Sequence, residues 1–183
     1  VIMPAVNHSF YTNEPMGENY RDFVSEELPQ VMHRLFHLSS RTEDTYVAGL
    51  SMGGYGAMKL ALTHPDRFAA AGCFSGVLDL AGRMGLEQRN VSLERIFGTA
   101  EDVRGSANDL YHLLELHAKD AHKPRLFMAC GTSDFLYDQF CAFVPRAFEL
   151  GWDVTATETP DIGHEWRFWD AKIAEFIPFM LGK

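Results

Sequence analysis

The fold of this chain is predicted by one stretch, Tyr46-Val47-Ala48-Gly49-Leu50-Ser51-Met52-Gly53-Gly54-Tyr55-Gly56. An apolar run rich in β-forming residues leads into it, a helical pattern follows it, and Gly49-x-Ser51-x-Gly53 between them has the spacing of a nucleophile elbow. The serine of such a turn lies in strained backbone, and the glycines leave room where strand and helix cross. The stretch predicts Ser51 as a nucleophile above the sheet edge, with the Met52 N–H donating to a developing oxyanion. Alone, the pentapeptide is also compatible with a Ser/Gly-rich turn that carries no chemistry.

Two later loops carry the residue types that a serine nucleophile requires. One follows the apolar run that ends at Cys130 and contains Asp134, and the other follows residues 154–159 and contains His164. Catalytic groups of parallel α/β sheets lie on loops after the carboxyl ends of strands, and the order Ser…Asp…His is that of α/β-hydrolases. We expect His164 to act as the general base, because an ordinary imidazole titrates at about pH 6.5, and Asp134 to orient it.

Other residues compete for both roles. His8 lies in the loop after the first apolar run and is the competitor for the base, whereas His64 is expected to cap a helix end. The remaining histidines are expected to be solvated: His33, His37, His112, His117 and His122. For the acid, Asp138 is interpreted as a helix N-cap. Asp161 lies three residues from His164 on the same loop, too close to face it productively.

Composition restricts the class of partner. The 183 residues are 46% hydrophobic, which is enough for one domain with its own core, and the formal net charge of −9 argues against a nucleic-acid partner. No apolar window is long enough for a transmembrane helix, and no His/Cys/Asp cluster has ligand spacing, so we expect no membrane partner, metal or cofactor. The three cysteines cannot all pair, which predicts buried free thiols in a reducing compartment and hence a cytoplasmic location: Cys73, Cys130 and Cys141.

Strand and helix patterns alternate along the chain. Strands are predicted at residues 46–50, 68–74, 125–130 and 154–159, with helices over 20–35, 57–64, 108–116, 140–148 and 166–177. Asn19 is expected to cap the first helix and Pro29 to kink or divide it. The alternation predicts the α/β class, with a mostly parallel sheet that carries helices on both faces, in a single domain over residues 1–183. Together with the order Ser…Asp…His, it predicts an α/β-hydrolase. Residues 77–123 interrupt it and are interpreted as a lid or substrate-side insertion, the alternative being a peripheral excursion without functional weight.

The first residues predict an apolar strand. Val1-Ile2-Met3 is stopped by Pro4, and a polar and aromatic loop over residues 5–18 follows. A strand that is apolar on both faces belongs in the interior of a parallel sheet, with neighbours on both sides. We therefore expect the chain to be N-terminally incomplete, and residues 1–183 alone to be poorly soluble or inactive because an apolar edge is exposed.

Five segments, in order from end to end, resemble one family of serine esterases. They are Val1-Ile2-Met3-Pro4 with Phe10-Tyr11-Thr12-Asn13, Gly49-Leu50-Ser51-Met52-Gly53-Gly54-Tyr55-Gly56, Phe74-Ser75-Gly76, Cys130-Gly131-Thr132-Ser133-Asp134-Phe135-Leu136 and Gly163-His164-Glu165-Trp166. The sequence resembles the esterase D group, which includes S-formylglutathione hydrolases, tributyrin-type carboxylesterases and feruloyl or acetylxylan esterase relatives. It is most similar to small bacterial tributyrin esterases. The group begins with further strands and a His-Gly-type loop that donates a second oxyanion N–H, and no segment here matches that part.

This resemblance implies a serine carboxylesterase that hydrolyses short, uncharged acyl esters through an acyl-enzyme intermediate, with the roles assigned above and without a cofactor. Tyr11 and His8 are expected to line the acyl or alcohol pocket, the alternative being that they only cover the sheet edge. A thioesterase of the S-formylglutathione hydrolase type or an acyltransferase on the same triad stays an alternative, as does a non-catalytic binding domain of this fold. The expected partner is a small-molecule ester, and self-association is left open.

Overall fold

The computed structural model of the chain describes residues 1–15, 17–86 and 91–182. Met16, in the predicted loop over residues 5–18, and residues 87–90, in the predicted insertion, lie outside the described residues. Lys183 also lies outside them.

Four parallel strands form the sheet, and each pairs with the next strand along the chain. They are β1 (Tyr46–Leu50), β2 (Ala70–Phe74), β3 (Arg125–Gly131) and β4 (Val154–Thr159), in the order β1-β2-β3-β4. The register aligns Tyr46 with Ala70 and Ala70 with Arg125. The predicted parallel sheet is confirmed, and the carboxyl ends of all four strands meet at one edge, where the elbow and the two candidate loops follow.

Alternate residues of the two central strands enter two separate cores, as the two-residue period of a strand requires. One face presents Ala71, Cys73, Leu126, Met128 and Cys130. The other face presents Ala70, Phe74, Phe127 and Ala129. Because both faces are apolar, the sheet must be covered on both sides, and helices provide that cover.

In chain order the helices are α1 (Tyr20–Asp22), α2 (Leu28–Leu35), α3 (Met52–Thr63), α4 (Leu80–Leu86), α5 (Val91–Phe97), α6 (Ala100–Val103), α7 (Leu110–Leu116), α8 (Tyr137–Glu149) and α9 (Trp166–Met180). Helices α3 and α8 pack on the first face, where Tyr55 and Phe143 are fully buried. Helix α9 packs on the second face through Phe168 and Phe176. Helix α3 directly follows β1 and α9 directly follows the loop of His164, so each helix fixes one end of the candidate site.

The first residues do not form the predicted strand. Val1, Ile2 and Met3 are exposed and the chain before Asn7 has no regular secondary structure, so the prediction of a buried strand there is wrong. Pro4 has no N–H to donate, and Val1–Met3 pair with no strand among the described residues. The loop that follows is confirmed as irregular.

The helix predicted over residues 20–35 is confirmed in extent and differs in its middle. Residues Phe23–Glu27 form a π-helical segment between α1 and α2. The segment lies just before Pro29, so the helix is divided close to the predicted position. Asn19 is the N-cap residue of α1, as predicted, but its side chain makes no capping hydrogen bond.

The predicted insertion over residues 77–123 is helical and packed, apart from the part outside the described residues. Helices α4 to α7 lie in it, and they contribute Leu80, Leu93, Val103 and Leu114 to the core that also contains α3. The segment therefore belongs to the body that covers the first face of the sheet. A lid role for it stays a prediction.

Cys73 and Cys130 are buried free thiols, as predicted, whereas Cys141 is free and exposed. Burial raises the pKa of both buried thiols to about 12, so neither is a thiolate nucleophile at neutral pH. Among the described residues, no helix combines the length and the hydrophobicity needed to cross a bilayer. The same part of the chain holds no group of three or more His, Cys, Asp or Glu side chains placed to bind a metal ion.

Candidate active site

Ser51 lies in the one-residue turn between β1 and α3, in strained backbone. Its φ of 53° is in the left-handed region, which a non-glycine residue adopts only where the surrounding structure compels it. The Ser51 N–H donates to the carbonyl of Phe74 at 2.9 Å, and the Ser51 carbonyl accepts from the N–H of Tyr55 at 3.2 Å. The neighbouring strand and the first turn of α3 thus hold the serine in this conformation, as the elbow spacing predicts.

The two glycines of the pentapeptide are needed to different degrees. A Cβ at Gly49 would lie 2.1 Å from the carbonyl oxygen of Gly53, a distance that no side chain tolerates. A Cβ at Gly53 would have room, with the hydroxyl of Tyr11 as its nearest neighbour at 3.4 Å. The backbones of β1 and α3 therefore approach most closely at Gly49, where only glycine fits. At Gly53 a side chain would be in ordinary contact with Tyr11.

The loops after β3 and β4 are joined to each other through their backbones. The N–H of Thr132 donates to the carbonyl of Thr159 at 3.0 Å, and the N–H of Ser133 donates to the carbonyl of Ile162 at 3.1 Å. A Cβ at Gly131 would lie 2.2 Å from that Ile162 carbonyl, so only glycine permits so close an approach. These contacts fix the position of the loop after β3, which contains Asp134 and is called the acid loop, relative to the loop after β4, which contains His164.

The structure brings Ser51, His164 and Asp134 into one hydrogen-bonded chain. Nε2 of His164 lies 2.8 Å from Oγ of Ser51, and Nδ1 of His164 lies 2.9 Å from Oδ2 of Asp134. The Asp134 side chain is fully buried and that of His164 is 20% exposed. The N–H of Leu136 donates to the second carboxylate oxygen of Asp134 at 2.9 Å and fixes its orientation. This arrangement can deprotonate a serine hydroxyl and stabilise the resulting imidazolium.

The competing residues lie elsewhere. His8 is exposed and makes no hydrogen bond or ion pair among the described residues. Asp138 is exposed in the first turn of α8, where Leu136 is the N-cap residue, so its interpretation as the cap is wrong by two positions. Asp161 is exposed, with its N–H donating to the hydroxyl of Thr132. The structure thus pairs the imidazole of His164 with Asp134 rather than with either rival carboxylate.

Several of the remaining histidines are solvated as expected. His33, His37 and His122 are exposed, whereas His112 and His117 are half-buried. His64 is the C-cap residue of α3, and burial lowers its pKa. Its place at the helix end agrees with the predicted capping position.

Tyr11 lies against the nucleophile helix. A Cβ at Gly56 would lie 2.2 Å from the Tyr11 ring, so the ring rests directly on the helix backbone one turn after Ser51. Its hydroxyl lies near Gly53, and burial raises its pKa, so the phenol stays neutral at physiological pH. Tyr11 thus lies beside the helix that follows Ser51, whereas His8 makes no hydrogen bond or ion pair among the described residues. A role for either residue in a substrate pocket stays a prediction.

Lys59 is a site-supporting residue that sequence reasoning missed. Its side chain is buried on α3, and Nζ donates to Oγ1 of Thr12 and Oδ1 of Asn108, both at 2.7 Å, and to the carbonyl of Tyr11 at 3.3 Å. It therefore ties the loop of Tyr11 and the segment before α7, at Asn108, to the nucleophile helix. The available signal is a single lysine inside the otherwise apolar helical run from Ala57 to Leu62.

Met52 is the first residue of α3, so its N–H has no carbonyl one turn earlier inside the helix. It is adjacent to Ser51 and is therefore available to a ligand oxygen at the helix N-terminus, where the helix dipole favours negative charge. The geometry agrees with its predicted place in the oxyanion hole.

Comparisons with known proteins identify the family. The family model described as "Putative esterase" matches residues 1–180. An acetyl esterase from Caldicellulosiruptor saccharolyticus is 30% identical over 98% of this chain and 71% of its own length. Among solved structures, the fluorophosphonate-binding serine hydrolase FphF of Staphylococcus aureus is 36% identical with a TM-score of 0.88, over 98% of this chain and 70% of that chain. The S-formylglutathione hydrolase FrmB of the same organism has the same identity and coverage with a TM-score of 0.85. With an α/β serine-hydrolase fold and a match over almost its whole length, this chain belongs to the esterase family.

Proposed function

We propose that this chain is a serine carboxylesterase that hydrolyses short, uncharged acyl esters through an acyl-enzyme intermediate on Ser51. The observation that carries the proposal is the continuous chain from Ser51 Oγ to His164 at 2.8 Å and from His164 to Asp134 at 2.9 Å. Membership of the esterase family makes the enzyme a carboxylic ester hydrolase. The acetyl esterase relative supports a short acyl group, and the net charge of −9 disfavours anionic substrates.

The acylation step follows from the geometry. Oγ of Ser51 forms a bond to the carbonyl carbon of the ester while Nε2 of His164 accepts the hydroxyl proton. The Met52 N–H donates to the oxyanion, and the buried carboxylate of Asp134 stabilises the imidazolium. When the intermediate collapses, the bond to the alcohol oxygen breaks and the imidazolium returns its proton to that oxygen.

Deacylation repeats the same steps with water. His164 takes a proton from a water molecule, which attacks the acyl carbon, and then returns the proton to Ser51 Oγ as the acyl bond breaks. Every proton transfer thus passes through Nε2 of one imidazole, so the reaction needs no metal or organic cofactor.

The proposal is tested by active-site labelling and by turnover. The full-length wild-type protein is expected to react with a fluorophosphonate at a single residue and to hydrolyse p-nitrophenyl acetate. In Ser51→Ala both signals are expected to vanish, since the nucleophile is lost without a change in packing. Ser133→Ala is the matched control, because Ser133 is an exposed serine of the acid loop and is expected to keep both signals. Turnover by Ser51→Ala above a no-enzyme blank contradicts the proposal.

The partner in this proposal is a small-molecule ester. A cytoplasmic location is part of the same proposal, because the three cysteines are unpaired within the described residues, as is usual in a reducing compartment.

A further inference from the structure

Two large aromatic side chains beside the general base are exposed. Phe135 is 64% exposed and Trp166 is 67% exposed, although domains usually bury side chains of this size. Phe135 directly follows Asp134 in the acid loop, and Trp166 begins α9 two residues after His164. We call this pair the aromatic rim. An exposed apolar patch at a site of chemistry requires an explanation.

Phe135 contacts the imidazole of His164 directly, and Trp166 is connected to it through Trp169. The ring centroid of Phe135 lies 4.6 Å from that of His164, at an interplanar angle of 46°. The Trp169 ring lies 4.8 Å from the imidazole at 86°, and the ring of Trp166 meets Trp169 edge-to-face at 5.3 Å. Trp169 is buried under the imidazole, so the two rim rings are the part of this aromatic cluster that a ligand can reach.

The Phe135 ring is held in position despite its exposure. The guanidinium of Arg83, on α4, lies 5.3 Å from its centroid over the ring face. Such a cation–π contact favours one orientation of the ring. The Phe135 ring is therefore already oriented before a ligand binds, and this lowers the conformational entropy that is lost on binding.

The reaction itself determines which part of an ester meets the rim. Nε2 of His164 must give its proton to the oxygen of the departing alcohol, so that oxygen has to lie within hydrogen-bonding distance of the imidazole. The remainder of the alcohol then extends over the neighbours of the imidazole. The acyl group, which stays bonded to Ser51, lies on the other side of the carbonyl carbon.

We propose that Phe135 and Trp166 form the subsite for the alcohol moiety of the ester, and that this subsite selects alcohols carrying an aromatic ring. The proposal rests on the proposed function, since it assumes that His164 protonates the leaving oxygen. Aromatic rings pair favourably in edge-to-face or offset arrangements at centroid distances of about 4.5–7 Å, within which both rim rings already pair with their neighbours. An aliphatic alcohol gains no such pairing.

The test compares acetates that differ only in the alcohol. Benzyl acetate and cyclohexylmethyl acetate have alcohols of similar size and differ in aromaticity, so the ratio of their kcat/KM values reports the subsite. The wild-type ratio is expected to favour the benzyl ester. In Phe135→Leu or Trp166→Leu, which keep apolar bulk, the ratio is expected to fall about three- to tenfold. Phe148→Leu is the matched control, because this exposed phenylalanine lies near the far end of α8, and its ratio is expected to stay at the wild-type value.

A second measurement decides the question if the rim variants lose activity. Benzyl alcohol is expected to inhibit wild-type hydrolysis of p-nitrophenyl acetate competitively and at lower concentration than cyclohexylmethanol does. Equal inhibition by the two alcohols, or an unchanged ester ratio in active rim variants, overturns the subsite. A wild-type enzyme that hydrolyses p-nitrophenyl acetate without any benzyl preference refutes the subsite alone. A full-length wild-type protein that hydrolyses no ester refutes the proposed function.

Discussion

At the residue scale, the buried amine of Lys59 joins the Tyr11 loop and the segment before α7 to helix α3. Its amine is buried among neutral oxygens, and this burial, together with the nearby positive charge of Arg21, lowers the pKa of Lys59 to about 7. In the unfolded chain a lysine has a pKa of about 10.4. Between these values the unfolded chain binds more protons than the folded chain, so the free energy of unfolding rises with pH across that interval.

We therefore predict that Lys59→Met flattens the pH dependence of stability. The difference in unfolding free energy, wild type minus variant, is expected to increase by up to about 1 kcal/mol per pH unit from pH about 7 to 10. Urea unfolding at about pH 6.5, 8 and 9.5 measures it, and the difference cancels the titration of other groups. Lys119→Met, at an exposed lysine, is the control and is expected to leave the wild-type slope unchanged. A constant difference between wild type and Lys59→Met across this range contradicts the prediction.

At this scale the sequence predicts which three side chains meet and misses Lys59, which holds the neighbouring segments together. Ser51, Asp134 and His164 are found because each follows a strand pattern, and all parallel strands deliver their next loop to the same edge. Lys59 is not found because its oxygens come from Tyr11 and Asn108, whose approach depends on packing between segments far apart in the chain. Local sequence patterns cannot predict contacts between segments that are far apart in the chain.

At the scale of elements, the helix over residues 20–35 shows what patterns resolve and what they do not. Its apolar period predicts a helix, and Pro29 predicts an interruption. The proline has no N–H for the carbonyl of Ser25, and the guanidinium of Arg67 donates to that carbonyl at 2.9 Å. The π-helical form of the interruption depends on this distant donor, so the helix period alone cannot predict it.

Strand patterns predict the strands of the sheet correctly but fail for the first residues of the chain. Strands β1, β2 and β3 are predicted because each is a mostly apolar run of at least five residues, whereas β4 is a weaker, more polar pattern rich in β-branched residues. Val1–Met3 has the same apolar character and forms no strand. An apolar run predicts a buried segment. A β-strand also needs a neighbouring strand with which to form backbone hydrogen bonds, and the composition of a segment does not reveal whether such a neighbour exists.

Helix α3 offers a matched test of how closely the Tyr11 loop must approach the nucleophile helix. We predict that Gly56→Ala lowers stability by about 1–3 kcal/mol, because its Cβ would overlap the Tyr11 ring at 2.2 Å. The displaced ring is also expected to lower kcat/KM for p-nitrophenyl acetate, since Tyr11 lies beside Gly53. Urea unfolding and the esterase assay measure the two effects.

Gly85→Ala is the control for this substitution. Gly85 is also helical, in α4, and a Cβ there would meet nothing within 4 Å. This variant is expected to be as stable as the wild type or up to about 1 kcal/mol more stable, because alanine favours a helix. If Gly56→Ala matches Gly85→Ala in both assays, the Tyr11 loop is not held closely against the helix.

At the scale of the whole molecule, one patch of exposed apolar side chains lies on and just after α2. Helix α2 buries none of its residues, and Val31 and Leu35, four positions apart on one of its faces, are 45% and 66% exposed. Phe36 and Leu38, which follow the helix, are also exposed. In addition, β1 is an edge strand with one partner among the described residues. Exposed apolar patches and open strand edges both promote association between chains.

We therefore predict that the 183 residues expressed alone self-associate through the α2 surface. In size-exclusion chromatography with light scattering, the wild-type chain is expected to elute well above its monomer mass of 20.6 kDa. Leu35→Glu is expected to increase the monomer fraction, because it places a charge within the apolar patch. Leu116→Glu is the matched control: this leucine on α7 is 59% exposed, similar to Leu35, and lies on a different helix, so the elution is expected to stay unchanged. A monodisperse wild-type monomer would contradict the prediction of self-association. Equal effects of Leu35→Glu and Leu116→Glu would show that added charge, rather than the α2 surface, governs association.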